Sequence, residues 1–154
     1  MHATKFTVFI VLFGLLLGLA GQARADSKHF QASQRHFEEL ATKAASLSAD
    51  MDTPGEKNVC NYFTATAMTY AVRAHALAQL SDVADKVHLP EDKALLRQKL
   101  AETETYSMQY IESDLRFLED LSAPSRNSRI RELGMRLVNE LRVFQHNAES
   151  LANE

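Results

Sequence analysis

Histidine is the residue type in this sequence that comes nearest to forming a chemical site. The chain contains six histidines, and four of them fall toward one end of the fold if its helices reverse near residues 53, 89 and 123. These four are His29, His36, His75 and His146. Because imidazole is a common ligand of zinc and haem iron, the set raises the hypothesis of a metal or haem site.

The positions of these histidines around their helices argue against a ligand set. When Phe30 and Phe144 face the core, His29 and His36 flank the buried seam, and the other two point outward. No HExxH, CxxCH or Glu-x-x-His motif is present to fix ligand geometry.

Only the general plan resembles the periplasmic four-helix cytochromes, which hold haem by a Met near the start of helix 1 with a His in helix 4, or by a CxxCH attachment. Here Met51 lies at the far end of helix 1 and no histidine directly follows Cys60. A haem- or metal-binding carrier is therefore the alternative function, and solvated histidines are the simpler interpretation.

Cys60 is the only cysteine, so it cannot form an internal disulfide. Three interpretations remain open: a small buried hydrophobe, an intermolecular disulfide that locks a dimer, or a reactive thiol. Lys57 lies one turn away, but Cys60 is too far inside its helix for the terminal amides to lower its pKa much. The buried hydrophobe is the simplest of the three.

Other chemistry is not indicated by the sequence. It contains no nucleophile elbow, no paired carboxylates that can be placed in a cleft and no glycine-rich phosphate loop, so we predict neither an enzyme nor a bound cofactor. The formal net charge is −3 at pH 7 and there is no basic stripe. Nucleic acid is therefore not an expected partner.

The first 25 residues have the pattern of a secretory signal peptide. Lys5 precedes an apolar run over residues 6–20, and Ala23 and Ala25 form an Ala-x-Ala cleavage pattern. We predict cleavage after Ala25, which leaves residues 26–154 as one domain with no membrane span. A retained membrane anchor is the less favoured alternative. The expected location is the periplasm or the cell exterior.

Four amphipathic segments follow the signal. The first covers residues 27–51 and the second 54–87, while the third runs from Pro90 to about Leu121 and the fourth follows a turn at 122–128. Short connections and apolar residues at steps of three and four predict an all-α fold, an antiparallel up-down-up-down four-helix bundle.

Arg73 lies on the buried seam of the second helix, where its charge needs a carboxylate or carbonyl partner. Glu102 and Glu104 of the third helix lie at the same level of the bundle and are the candidate partners.

Two further apolar stripes suggest how such a bundle could bind a partner. The stripe on the third helix is Met108, Ile111, Leu115 and Leu118, and the stripe on the second is Ala65, Met68, Val72 and Ala76. These stripes either pack on each other or leave an exposed patch for another protein or a second subunit. We predict a small exported binding or accessory protein that recognises its partner through the face of the third helix.

Overall fold

The structure is a computed structural model, and it describes residues 27–84 and 86–152. Its elements are α1 over residues 27–49, α2 (Pro54–Ala84), α3 (Pro90–Met108), α4 (Ile111–Ser122) and α5 (Ser128–Ala152). No strand occurs in these ranges. Because α3 and α4 follow each other along one side, they form the third arm of a four-helix bundle, and the predicted all-α architecture is confirmed.

Hydrogen bonds at both ends of α1 show that α1 and α2 are antiparallel neighbours. Near the start of α1, the Ser27 hydroxyl donates to the Ala78 carbonyl close to the end of α2, at 3.2 Å. Near the end of α1, the Ser48 hydroxyl donates to Asn61 Oδ1 in the second turn of α2, at 2.8 Å. The short connection over residues 50–53 therefore reverses the chain, as predicted.

The last helix closes the bundle by lying between α4 and α1. Arg142 on α5 pairs with Glu119 on α4 at 2.6 Å, and Arg129 at the start of α5 pairs with Asp50 just beyond α1, also at 2.6 Å. Both pairs are exposed, so they contribute little to stability. They show, however, that α5 runs opposite to both of its neighbours.

Aromatic rings from three helices meet in the centre of the core. Phe30 and Phe37 of α1, Tyr70 of α2 and Phe144 of α5 are fully buried, with centroids of contacting rings 5.8 to 6.0 Å apart. Such edge-on and tilted pairs add to the hydrophobic contribution of each ring. The three phenylalanines occupy the seam positions that helical spacing predicts, so the periodicity of the sequence locates this core.

The structure departs from the predicted third helix at Gln109 and Tyr110. An uninterrupted helix to about Leu121 was expected, but α3 ends at Met108 and α4 begins at Ile111. Tyr110 has a φ of 72°, in the left-handed region. No glycine or proline marks this break. The guanidinium of Arg73 instead donates to the Ser107 and Gln109 carbonyls, at 3.1 and 3.2 Å, and so satisfies acceptors that a continuing helix would have used.

Replacing Tyr110 with glycine is expected to stabilise the protein. A left-handed φ strains any residue with a Cβ, and the Tyr110 side chain is 64% exposed, so its removal loses little packing. We expect Tyr110→Gly to raise the free energy of unfolding by about 1 kcal/mol in a urea titration. Leu95→Gly, at a 56% exposed position inside α3, is the control and should lower it. A loss of stability at position 110 would show that the tyrosine side chain itself holds the break.

Candidate functional site

The outward face of α2 carries apolar side chains that nothing in the described chain covers. Met68 is 48% exposed, Val72 is 65% exposed and Val83 is 44% exposed. Ala65 is exposed and Ala76 is half-buried on the same face. We call these five residues the outer stripe. Their spacing of three, four, four and seven keeps them on one side of the helix, opposite the buried Phe63, so they form a continuous surface.

Charged groups are nearly absent from the helix that carries the outer stripe. Between Lys57 and Asp82, Arg73 is the only Asp, Glu, Lys or Arg residue. By contrast, α4 and α5 separate their apolar and charged residues onto opposite faces. The exposed polar residues beside the stripe, such as Thr69 and Gln79, are uncharged. The outer stripe is therefore an apolar surface without a partner within the described chain, on a helix whose other face is firmly packed.

The apolar stripe of the third helix does not form the exposed face that the sequence analysis predicted. Ile111 is 3% exposed, Leu115 is 7% exposed and Leu118 is fully buried, while Met108 is half-buried against the same core. These residues face inward because α4 packs closely on α5 and also contacts α2. The predicted partner face is therefore corrected. The stripe of the third arm fills the core, whereas the stripe on α2 is exposed.

The four histidines singled out in the sequence are all exposed. His36 Nδ1 lies 3.0 Å from a Glu140 carboxylate oxygen, and His75 Nδ1 lies 3.1 Å from Gln34 Oε1. His29 and His146 lie on the surfaces of α1 and α5. Within the described ranges, no three His, Cys, Asp or Glu side chains lie where they could hold a metal. Metal or haem binding at these histidines stays a hypothesis from the sequence alone.

Cys60 is a free cysteine and is fully buried in the core. Burial raises the pKa of its thiol, and the nearby Glu56 carboxylate raises it further, whereas Arg129 lowers it. A buried thiol with a raised pKa is a poor nucleophile. Because the sulfur has no exposed surface, it does not reach a second chain while the bundle stays folded. The geometry therefore argues against the intermolecular disulfide and favours the buried hydrophobe.

A polar cluster joins α2 to the break between α3 and α4. The Arg73 guanidinium lies over the rings of Tyr70 and Tyr106, at 4.7 and 5.4 Å from their centroids. The Tyr70 hydroxyl donates to Asp114 Oδ2 at 2.7 Å. The partners of Arg73 are thus backbone carbonyls and aromatic faces, and not Glu102 or Glu104. The sequence identified the seam position of Arg73 but gave no signal for a helix end beside it.

This cluster makes stability depend on pH in the alkaline range. Burial raises the pKa of Tyr70, and the hydrogen bond and negative charge of Asp114 raise it further. The folded state therefore favours the neutral phenol, so this contribution to stability is complete below the unfolded pKa of about 10 and is lost as pH rises above it. We expect the free energy of unfolding to fall above about pH 10. In Tyr70→Phe the fall should be smaller, and an identical pH dependence in both proteins would contradict this assignment.

Comparison with family models, curated proteins and solved structures finds no significant match to this chain. In the described part of the chain, none of the helices combines the length and apolarity needed to cross a bilayer. Within the described bundle, the outer stripe is an exposed apolar surface on an otherwise packed helix.

Proposed function

We propose that this protein is a small binding or accessory protein without catalytic activity, and that it docks another protein through the outer stripe of α2. The observation that supports this proposal most directly is the 65% exposed Val72 at the centre of a helix that carries Arg73 as its only charge over 24 residues. Exposed apolar patches with polar rims are typical of protein interaction sites on soluble domains.

The composition of the outer stripe suits the face of a partner helix. Ala65 and Ala76 are small, so a second helix can approach closely at these points. Met68 is flexible and polarisable, and methionine adapts readily to the shape of a partner surface. Asn61 and Gln79 lie on the same face toward the two ends, both exposed, where they provide a polar rim. The site is also rigid, because the opposite face of α2 is locked in the core.

The proposed place of action is the periplasm or the cell exterior. This part of the proposal depends on the signal-peptide pattern of residues 1–25, which lie outside the described residues. The partner is therefore expected in the same compartment, where it encounters this domain after export. An apolar stripe left uncovered there would favour non-specific association, so we propose that it is covered during function.

A photo-crosslinking amino acid at position 72 tests the proposal in the cells that produce the protein. The full chain is expressed with the probe at Val72 or at Val143, which is 51% exposed on α5 and serves as the control. Irradiation should give one discrete adduct from position 72 and none from position 143. Equal yields of heterogeneous adducts from both positions, or no adduct from position 72, would contradict the proposed docking surface.

A further inference from the structure

We infer that the occupant of the outer stripe is a second copy of this chain, docked antiparallel along α2 about a two-fold axis that crosses the exposed face at the level of residue 70. This inference rests on the proposed function, because it names the partner of the same surface. A two-fold dimer requires a patch that is complementary to itself when it is turned end for end. The polar rim and the four stripe residues over positions 65–76 meet that condition.

Four of the five apolar positions of the stripe are symmetric about residue 70, and the fifth, Val83, has no apolar counterpart. An axis at this level of the exposed face places Met68 of one copy against Val72 of the other, and Ala65 against Ala76, each contact occurring twice. The steps of three and four between these residues are those of a helix-pairing seam. Large side chains therefore meet at the centre, with small residues on either side that let the two helices approach closely.

The polar rim has the same symmetry. The same axis brings Asn61 of one copy opposite Gln79 of the other, and amide side chains can donate to and accept from each other. Asn61 Oδ1 already accepts from Ser48, so its amide nitrogen is the group that donates across the interface. Both residues are exposed and flank the symmetric apolar positions 65–76, so they fix the register of the pair.

Charges of opposite sign meet at the two ends of the paired helices. Lys57 and Asp82 lie on the same side of α2, the side nearest α1, and the two-fold axis places Lys57 of each copy beside Asp82 of the other. Among the described residues Lys57 has no ion-pair partner, while Asp82 bonds Lys86 at 2.6 Å and its side chain is still 52% exposed. A parallel arrangement would instead set like charges together, so the charge pattern selects the antiparallel one.

The dimer is expected to be weak. Residues 57–83 span about 40 Å of helix, and one helix face of this length provides an interface at the small end of the range for specific complexes. Association should therefore depend on concentration, with a dissociation constant in the micromolar range. Salt should weaken it, because the end contacts are exposed charge pairs.

Sedimentation velocity of the protein purified from the cells that produce it, over a range of protein concentrations, tests the inference. We expect a monomer–dimer equilibrium that Val72→Glu abolishes and the control Val143→Glu leaves unchanged. Lys57→Glu and Asp82→Lys should each raise the dissociation constant roughly tenfold, because each reversal sets like charges together at both ends. The double variant should recover the affinity of the original chain. Because Asp82→Lys also breaks the pair with Lys86, this recovery is what identifies the contact with Lys57.

The outcomes separate this inference from the proposed function. A monomer at all concentrations, or a dimer that Val72→Glu leaves intact, would overturn the inference. If the crosslink from position 72 then has the mass of a different protein, the docking surface stands and only its occupant is wrong. If sedimentation instead shows the dimer that Val72→Glu abolishes, and the crosslinked product has twice the mass of this chain, both proposals are supported. Circular dichroism of every variant shows that the bundle remains folded.

Discussion

Phe144→Ala is expected to lower the free energy of unfolding by about 3–5 kcal/mol, the range typical of large aromatic truncations in a core. Phe144 is fully buried and its ring contacts those of Phe30, Phe37 and Tyr70, with centroids 5.8 to 6.0 Å apart. Removing it leaves a cavity at the point where α1, α2 and α5 meet. The rigid helices around it can collapse only in part, so both the transfer and the cavity contributions are lost.

The neighbouring residue provides a matched control for this cavity. Val143 lies on the same turn of α5 but is 51% exposed, so Val143→Ala should change the free energy of unfolding by less than about 1 kcal/mol. Urea titrations followed by circular dichroism measure both variants. Similar decreases in the free energy of unfolding for the two variants would show that α5 is rotated about its axis relative to this structure.

Gly134→Ala is expected to destabilise the bundle by about 1–3 kcal/mol, although alanine is the better helix former. Gly134 is buried in α5 at its closest approach to α4. A Cβ added there would lie 2.7 Å from Ser122 Cβ and 3.0 Å from the Phe63 ring, and it would overlap the Ser122 hydroxyl. Because Ser122 Cβ is attached directly to the backbone of α4, the two helices must separate to accommodate the change.

Two further variants show whether this close contact is the cause. Gly55 has no atom within 4 Å of an added Cβ, so Gly55→Ala should be neutral or slightly stabilising. Combining Gly134→Ala with Ser122→Gly removes the opposing side chain and should recover part of the loss. If the double variant is as unstable as the sum of the two single changes, the contact between α4 and α5 is not where the strain arises.

The sequence predicted the parts of the fold that follow from local periodicity. Phe30, Phe37 and Phe144 lie at steps of three and four from other apolar residues, so their burial could be expected from the pattern. The start of α2 could also be expected: Thr53 Oγ1 accepts from the Glu56 amide at 3.2 Å, as a capping residue followed by Pro54 predicts. Both signals lie within a few residues of the feature they specify.

Features that depend on contacts between helices could not be predicted from the sequence. The break at Tyr110 has no local marker, because Arg73 of another helix satisfies the carbonyls there. Helix propensity alone makes Gly134 a weak position in α5, whereas the structure shows that it allows the contact with Ser122 of α4. The two extra apolar stripes were recognised, but which one is buried depends on how α4 is rotated against α5, and spacing alone does not fix that rotation.

We propose that a partner covers the outer stripe of α2 during function, and such a partner should shield position 72 from labelling in living cells. Chains with Val72→Cys or Val143→Cys are treated with a maleimide, and the buried Cys60 should contribute little background. We predict that position 72 reacts at least about tenfold more slowly in cells than in dilute purified protein, while position 143 reacts at similar rates in both. Equal and rapid labelling of the two positions in cells would contradict the claim.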